Sequence, residues 1–351
     1  MSKKILTALC LTGLLLHAEE TRPKNIILFI GDGMGIAQVT AGKIAKGTLE
    51  MERCPVAGLA STWSADHLTT DSAAAATALA TGTKTDNGML SLNPEGQRLK
   101  TVLEIAEDQK KSTGLVCNCA VTHATPAGFA THVPSRQQYV EIARQLADSD
   151  VDVLFGGGLA YFSPSNAPSC LPQLQNKMPL ATTAEEFYAL GTPEKAAALL
   201  YPEHPPHVAE RTVSLKELTQ KAIEILVQDE DGFFLMVEGS QIDWAGHKND
   251  AANIISEVID FDDAVGVGLD FAEKNGRTLV IITADHETGG FAVIDGTLAE
   301  KTVSQTGFIH KKHTASMVPV FAEGPASSRF SGIMDNTDIG KTMIELIQTS
   351  E

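Results

Sequence analysis

At 351 residues, with 43% hydrophobic and 20% charged residues, the chain can bury one large core and does not have the composition of a disordered protein. A net charge of −17 has the wrong sign for binding nucleic acid or an anionic membrane, and 5% aromatics leave little for base-stacking platforms. An anionic substrate would need a strongly positive pocket set against that background.

The chain opens Met1-Ser2-Lys3-Lys4, continues through an apolar run from Ile5 to Leu16, and reaches His17-Ala18 before Glu19-Glu20. A basic start, a short apolar run and a small residue before acidic ones predict an export signal over residues 1–18, cleaved near Ala18. The run is too short to span a bilayer comfortably, so a periplasmic or secreted protein without stable membrane association is expected. Export permits disulfides, but Cys117 and Cys119 alternate on a strand-like segment, where a bridge two residues apart would be strained. They are read as buried free thiols.

Beyond the leader, short apolar runs alternate with helical patterns. This predicts an α/β fold: a doubly wound, largely parallel central sheet with helices on both faces, as a single catalytic domain over residues 19–351. Strands are expected at Asn25–Ile30, Thr113–Ala120, Val151–Phe155, Gly232–Val237, Arg277–Thr283 and Ser316–Ala322. Helices are expected at Ser72–Ala80, Val102–Lys110, Arg136–Ala147, Leu215–Gln228, Ala251–Glu273 and Asp338–Gln348. The proline-rich stretch at about 159–211 has only short helical patterns, at Ala184–Leu190 and Pro193–Leu200, and reads as a surface insertion over the sheet.

Several of these strands end in residues suited to metal or phosphate chemistry. Ile26–Ile30 runs into Gly31-Asp32-Gly33, the next strand into Thr122-His123-Ala124-Thr125, Phe233–Val237 into Glu238-Gly239, and Leu279–Thr283 into Asp285-His286. Ligands of open α/β sheets bind beyond the carboxyl ends of the strands. Any one of these residues could be a turn residue or a cap, but so many at separate strand ends point to one site. Asp243 and His247, four apart, can share a helical face. His313 is a further candidate, with His310 as its competitor, and spacing does not decide between them. Histidine and carboxylate without cysteine suit catalytic zinc, whereas oxygen-only groups suit magnesium.

The run Thr70-Asp71-Ser72-Ala73-Ala74-Ala75-Ala76 starts an alanine-rich helix that Gly82 can close. Ser72 could be an ordinary helix cap. The same position presents free N–H groups and the positive end of the helix dipole to a phosphate. A serine nucleophile needs a base or a metal, and this segment supplies no base.

These residues resemble alkaline phosphatase across nearly all of the chain beyond the leader. The motifs are Gly31-Asp32-Gly33-Met34-Gly35, Thr70-Asp71-Ser72-Ala73-Ala74, Thr81-Gly82, His123-Ala124-Thr125-Pro126, Ser135-Arg136, Gly156-Gly157-Gly158, Val237-Glu238-Gly239, Ile242-Asp243 with His247, Thr283-Ala284-Asp285-His286-Glu287-Thr288-Gly289-Gly290 and His313-Thr314. The resemblance implies hydrolysis of small phosphate monoesters to inorganic phosphate, by two in-line displacements through a phosphoserine on Ser72. It implies two zinc ions and a magnesium ion: one zinc on Asp243, His247 and His313, the other on Asp32, Asp285 and His286, and magnesium on Asp32, Thr125 and Glu238. Arg136 matches the family's phosphate clamp, and a homodimer is expected.

His123 and Trp244 depart from the best-known bacterial pattern, which has aspartate and lysine there. They look like a variant set found in other members, cold-adapted ones included, and are expected to shape the surroundings of phosphate and the third metal. The three metals outweigh the four carboxylates of Asp32, Glu238, Asp243 and Asp285, and Arg136 adds to the excess, so a positive pocket is reconciled with an acidic protein. Surface charges farther away are screened over roughly 8 Å. A sulfatase is disfavoured because Ser72 is followed by four alanines rather than a Pro- and Arg-containing motif. A phosphodiesterase of the same superfamily and a non-catalytic metal- or phosphate-binding protein are the remaining alternatives.

Overall fold

A computed structural model of the chain describes residues 22–348, so the expected leader lies outside the described residues. In chain order its strands are β1 (Asn25–Gly31), β2 (Val56–Ser61), β3 (Ser112–Ala120), β4 (Val153–Gly157), β5 (Leu180–Ala181), β6 (Ala196–Leu199) and β7 (Phe233–Gly239). They continue as β8 (Thr278–Thr283), β9 (Glu287–Thr288), β10 (Ala292–Thr297), β11 (Thr302–Gly307), β12 (His313–Thr314), β13 (Val318–Glu323) and β14 (Gly332–Asp335). The helices are α1 (Ile36–Lys46), α2 (Ser72–Thr81), α3 (Val102–Asp108), α4 (Ala124–Ala130), α5 (Tyr139–Asp148) and α6 (Leu159–Phe162), then α7 (Leu171–Lys177), α8 (Ala184–Ala189), α9 (Leu215–Leu226), α10 (Gln241–Lys248), α11 (Ala251–Asn275) and α12 (Asn336–Ile347).

Ten strands form one sheet in the order β14-β2-β13-β8-β1-β7-β3-β4-β6-β5. Within it β13 alone runs against its neighbours. The centre is parallel, and β1, β7 and β8 are buried along their whole length. That burial on both faces is why each reads as an unbroken apolar run rather than an alternating one. Phe29 of β1 meets Phe261 of α11 edge-on at 6.1 Å, while Phe234 of β7 stacks on Phe129 of α4 at 6.1 Å. The doubly wound, largely parallel α/β architecture expected from the sequence is therefore present. Among the described residues no helix is long and apolar enough to cross a membrane.

The 159–211 stretch differs in part from its expected form. Ala196–Leu199, expected within a helix, is a strand paired in parallel with β4, and β5 pairs with it in turn. This part of the stretch extends the sheet instead of lying over it. Alanine favours helices, but all four residues of β6 are buried, and tertiary burial overrides a propensity worth a few tenths of a kcal/mol per residue. The stretch ends in a strap that is firmly seated. The Arg211 guanidinium, almost fully buried, pairs with Glu257 at 2.9 Å and Asp260 at 2.6 Å, both on α11. Gln241 Nε2 at the start of α10 donates to the carbonyls of Pro205 and Pro206 at 2.9 and 3.3 Å.

Candidate active site

Parallel neighbours in register bring their carboxyl ends together. Ile30 of β1 lies opposite Glu238 of β7 and Thr283 of β8, so Asp32, Glu238 and the Asp285-His286 pair emerge side by side. β3 joins the same edge, and the turn after it leads through His123, the N-cap of α4, to Thr125 in that helix. Gly33 has φ +75°, and a Cβ there would stand 2.7 Å from Asp243 Cα. Glycine is thus required twice over, by its conformation and by the close approach of α10. That approach carries Asp243 to the end of β1.

Four groups of ligand-type atoms result, each with its members within 4.8 Å of one another: Asp32, Asp285 and His286; Asp243, His247 and His313; Asp32, His123 and Glu238; and Cys117, Cys119 and Glu238. His286 Nε2 is 3.1 Å from Asp285 Oδ2 and 3.6 Å from Asp32 Oδ1. His247 and His313 approach the Asp243 carboxylate at 3.3 and 3.5 Å. The His286 and His313 rings stack at 3.5 Å, so the first two groups adjoin. His313, rather than His310, belongs to this cluster; His310 Nδ1 instead accepts from the Lys312 N–H in an exposed loop. Both Asp32 oxygens, Asp285 Oδ2, Glu238 Oε1, Thr125 Oγ1 and His123 Nδ1 are buried and make no hydrogen bond among the described residues. Leaving a buried polar atom unpaired costs about 1–3 kcal/mol. The oxygens among these atoms, most from acids and converging on one spot, fit bound divalent cations.

Ser72 Oγ is 3.3 Å from His286 Nε2. The helix cap is Asp71, whose Oδ1 accepts from Ala74 N–H at 3.0 Å, so Ser72 occupies the first helical position and its hydroxyl has no capping duty. Arg136 lies ahead of α5 rather than within the helix expected there. Its Nη1 donates to Asp71 Oδ2 at 3.0 Å and its Nη2 to His123 Nε2 at 3.2 Å. The guanidinium is thereby fixed beside the helix that begins with Ser72. Trp244 sits edge-on to His123 at 6.0 Å.

The alkaline phosphatase family model matches residues 23–176, 207–300 and 295–349, most of the chain. The chain belongs to the alkaline phosphatase family. It is a phosphatase acting on phosphate monoesters. Bacillus subtilis alkaline phosphatase 3 is 33% identical over 93% of this chain and 89% of its own length. The Escherichia coli enzyme is 30% identical over 91% of this chain and 85% of its own. The structure of alkaline phosphatase from the Antarctic bacterium TAB5 superposes with a TM-score of 0.88 at 38% identity, covering 94% of this chain and 99% of that one. The cold-active alkaline phosphatase of Shewanella sp. gives 0.85 at 31% identity, covering 93% and 100%.

The electrostatics of the phosphatase site are those of a cage built for cations. Burial, then the charges of Asp285, Asp243 and Glu238, pushes the Asp32 carboxyl well above the usual range. Burial and Asp243 push Asp285 up to about 7. Asp243 is instead held well below the ordinary range: burial opposes its ionisation, but the His247 hydrogen bond and the charges of His286 and His313 outweigh it. That hydrogen bond raises His247 to about 9. Burial and the Arg136 charge press His123 down to about 3, so it is a neutral imidazole whose Nε2 accepts from Arg136 and whose proton sits on Nδ1.

A pH dependence follows for the metal-free protein. A histidine whose folded pKa is raised to about 9 contributes stability that is fully present below its unfolded value and lost as pH climbs through 9. The metal-free phosphatase should therefore melt at lower temperature at pH 9 than at pH 7, by a few degrees given the partial exposure of His247. Zinc should reverse the trend, because it binds neutral imidazole. Thermal melts with and without chelator across that window check both signs.

Two contacts at the site carry no sequence signal of their own. His204, between Glu203 and Pro205 in the 159–211 stretch, accepts from Ala120 N–H at 3.1 Å and meets Trp244 and His123 edge-on at 4.8 and 5.8 Å. Cys119, legible only as a buried strand residue, donates its thiol to Glu238 Oε2 at 3.3 Å.

Proposed function

We propose that this enzyme hydrolyses phosphate monoesters through a covalent phosphoserine on Ser72. Asp32, Asp285 and His286 would hold one zinc, Asp243, His247 and His313 a second, and Asp32, Thr125 and Glu238 a magnesium. The observation that carries the reading is the convergence of unpartnered buried acid oxygens on the start of the helix that presents Ser72. When bound, the cations would supply what no side chain here does: positive charge that favours the serine alkoxide and stabilises the departing oxygen. His286 Nε2, the nitrogen nearest Ser72, also faces the Asp32 and Asp285 carboxylates, so a zinc held there would occupy its lone pair and leave it unable to take the serine proton.

The residues themselves divide the remaining work. Ser72 Oγ forms the bond to phosphorus as the ester oxygen leaves with a proton as the alcohol. Water then breaks the serine–phosphorus bond, returning the hydroxyl and releasing inorganic phosphate. Arg136, its fork held by Asp71 and His123, offers N–H donors to the phosphoryl oxygens together with the first-turn N–H groups of α2. Trp244 and His204 close around His123 and keep its ring from turning. Aspartate is replaced here by the neutral His123, a difference that bears on the third site. A histidine-to-aspartate variant of the TAB5 enzyme is described with magnesium bound in the site called M3. We further read the chain as one catalytic domain, exported by its leader and acting in the periplasm or outside the cell as a homodimer.

Hydrolysis of a chromogenic phosphate monoester, with and without chelator, tests the reading. Chelation should lower turnover at least about 100-fold, and zinc with magnesium should restore it. Turnover indifferent to chelator would reject the metal-dependent mechanism. A methyl diester of the same phenol should be cleaved far more slowly than the monoester.

A further inference from the structure

The side of the site that faces solvent carries lysines with no partner. Lys248 ends α10, one residue after His247, and Lys311 and Lys312 precede His313; all three are exposed. None makes a salt bridge or a side-chain hydrogen bond among the described residues. Some lysines pair with acids, as Lys43 does with Glu52 and Lys195 with Asp152, while Lys110, Lys216 and Lys274 are exposed without a salt bridge too; what sets Lys248, Lys311 and Lys312 apart is that they border His247 and His313. The nearest acids in sequence are engaged, since Asp243 faces the histidines and Asp250 caps α11 through Asn253.

The backbone beneath these lysines is fixed to the site. His247 Nδ1 bonds the Lys311 carbonyl at 2.8 Å, Gly289 N–H donates to the Lys312 carbonyl at 2.9 Å, and the Asn249 amide reaches the His310 carbonyl at 2.8 Å. Loop 310–312 and the end of α10 are thus stitched together around His247, whose side chain is 39% exposed, whereas that of His286 is fully buried.

We infer that Lys248, Lys311 and Lys312 form a cationic lip that selects phosphate monoesters whose leaving group carries a second anionic group, best matched by a second phosphate. The inference rests on the proposed phosphoserine reading. Ser72 lies against the buried His286, and the His247 and His313 group adjoins it on the more exposed side, so a leaving group that departs past that group meets the chain segments that carry the three lysines. Strongly hydrated ammonium groups on flexible stems suit an anion whose position varies from substrate to substrate, and because they are exposed their attraction weakens as salt rises.

The test compares the metal-loaded enzyme on propyl phosphate and on the matching propanediol bisphosphate, whose leaving group carries a second phosphate, with the factor of two for its two equivalent phosphates divided out. The combined Lys248→Ala, Lys311→Ala and Lys312→Ala variant should lose kcat/KM for the bisphosphate roughly tenfold more than for propyl phosphate, the sum expected for two or three exposed charge contacts. The loss should lie mainly in KM, and high salt should erase the same preference in the parent. A bisphosphate-to-propyl ratio unchanged by the substitutions, or a preference indifferent to salt, overturns the lip. A parent enzyme that leaves propyl phosphate intact rejects the hydrolase reading and the lip with it.

Discussion

Ser72→Ala should lower turnover about a thousandfold or more and leave no phosphate on the protein after acid quench with a labelled monoester. The same substitution should barely touch stability. Asp71 caps the helix while Ser72 stands at its first position, and alanine is the best helix former. Asp71→Ala makes the contrast: it removes the acceptor for Ala74 and Gly88 and the anchor of Arg136. It should cost about 1 kcal/mol for the cap alone and also weaken phosphate binding. Labelled phosphate trapped on Ser72→Ala would move the nucleophile elsewhere, and a melting temperature that drops with it would give Ser72 a structural duty at the helix start.

Asp32→Asn should have opposite consequences for activity and for the metal-free fold. Asp32 belongs to two of the four ligand groups, so the amide should strip metal from both and reduce turnover at least about a hundredfold. Without metal, the parent must either ionise Asp32 beside Asp285, Asp243 and Glu238 or keep it protonated, and either state costs free energy at neutral pH. An amide avoids that choice. The metal-free variant should therefore melt above the metal-free parent, on the order of 1–3 kcal/mol more stable, while gaining nothing from added zinc. Elemental analysis beside calorimetry decides it. Retained metal in the variant would reject Asp32 as a ligand.

How much of this could be read in advance depended on whether the chemistry was local. Buried parallel strands announce themselves as apolar runs, and an acid or histidine straight after such a run is conspicuous. Asp32, Glu238, Asp285 and His286 were legible for that reason. Asp243 and His247 were suggested by helical spacing, but their meeting with His313 depends on the 66-residue separation closed by the His247–His313 contact, which no window of sequence displays. Spacing left His310 and His313 level until the loop placed one in the cluster and the other in solvent. The β6 strand misled because four small apolar residues suit helix and buried strand alike, and only the neighbouring β4 decides. His204 gave no sign at all, since its role comes from the rings it touches.

The family model leaves residues 177–206 unmatched, yet the strap closing that stretch grips the back of α10 through Pro205, Pro206 and His204. The helix that presents Asp243 and His247 is thus braced by a part of the chain outside the family model's match. Changes in that brace would alter how firmly the two ligands are held, and with it metal retention or heat tolerance, without touching any residue that meets substrate.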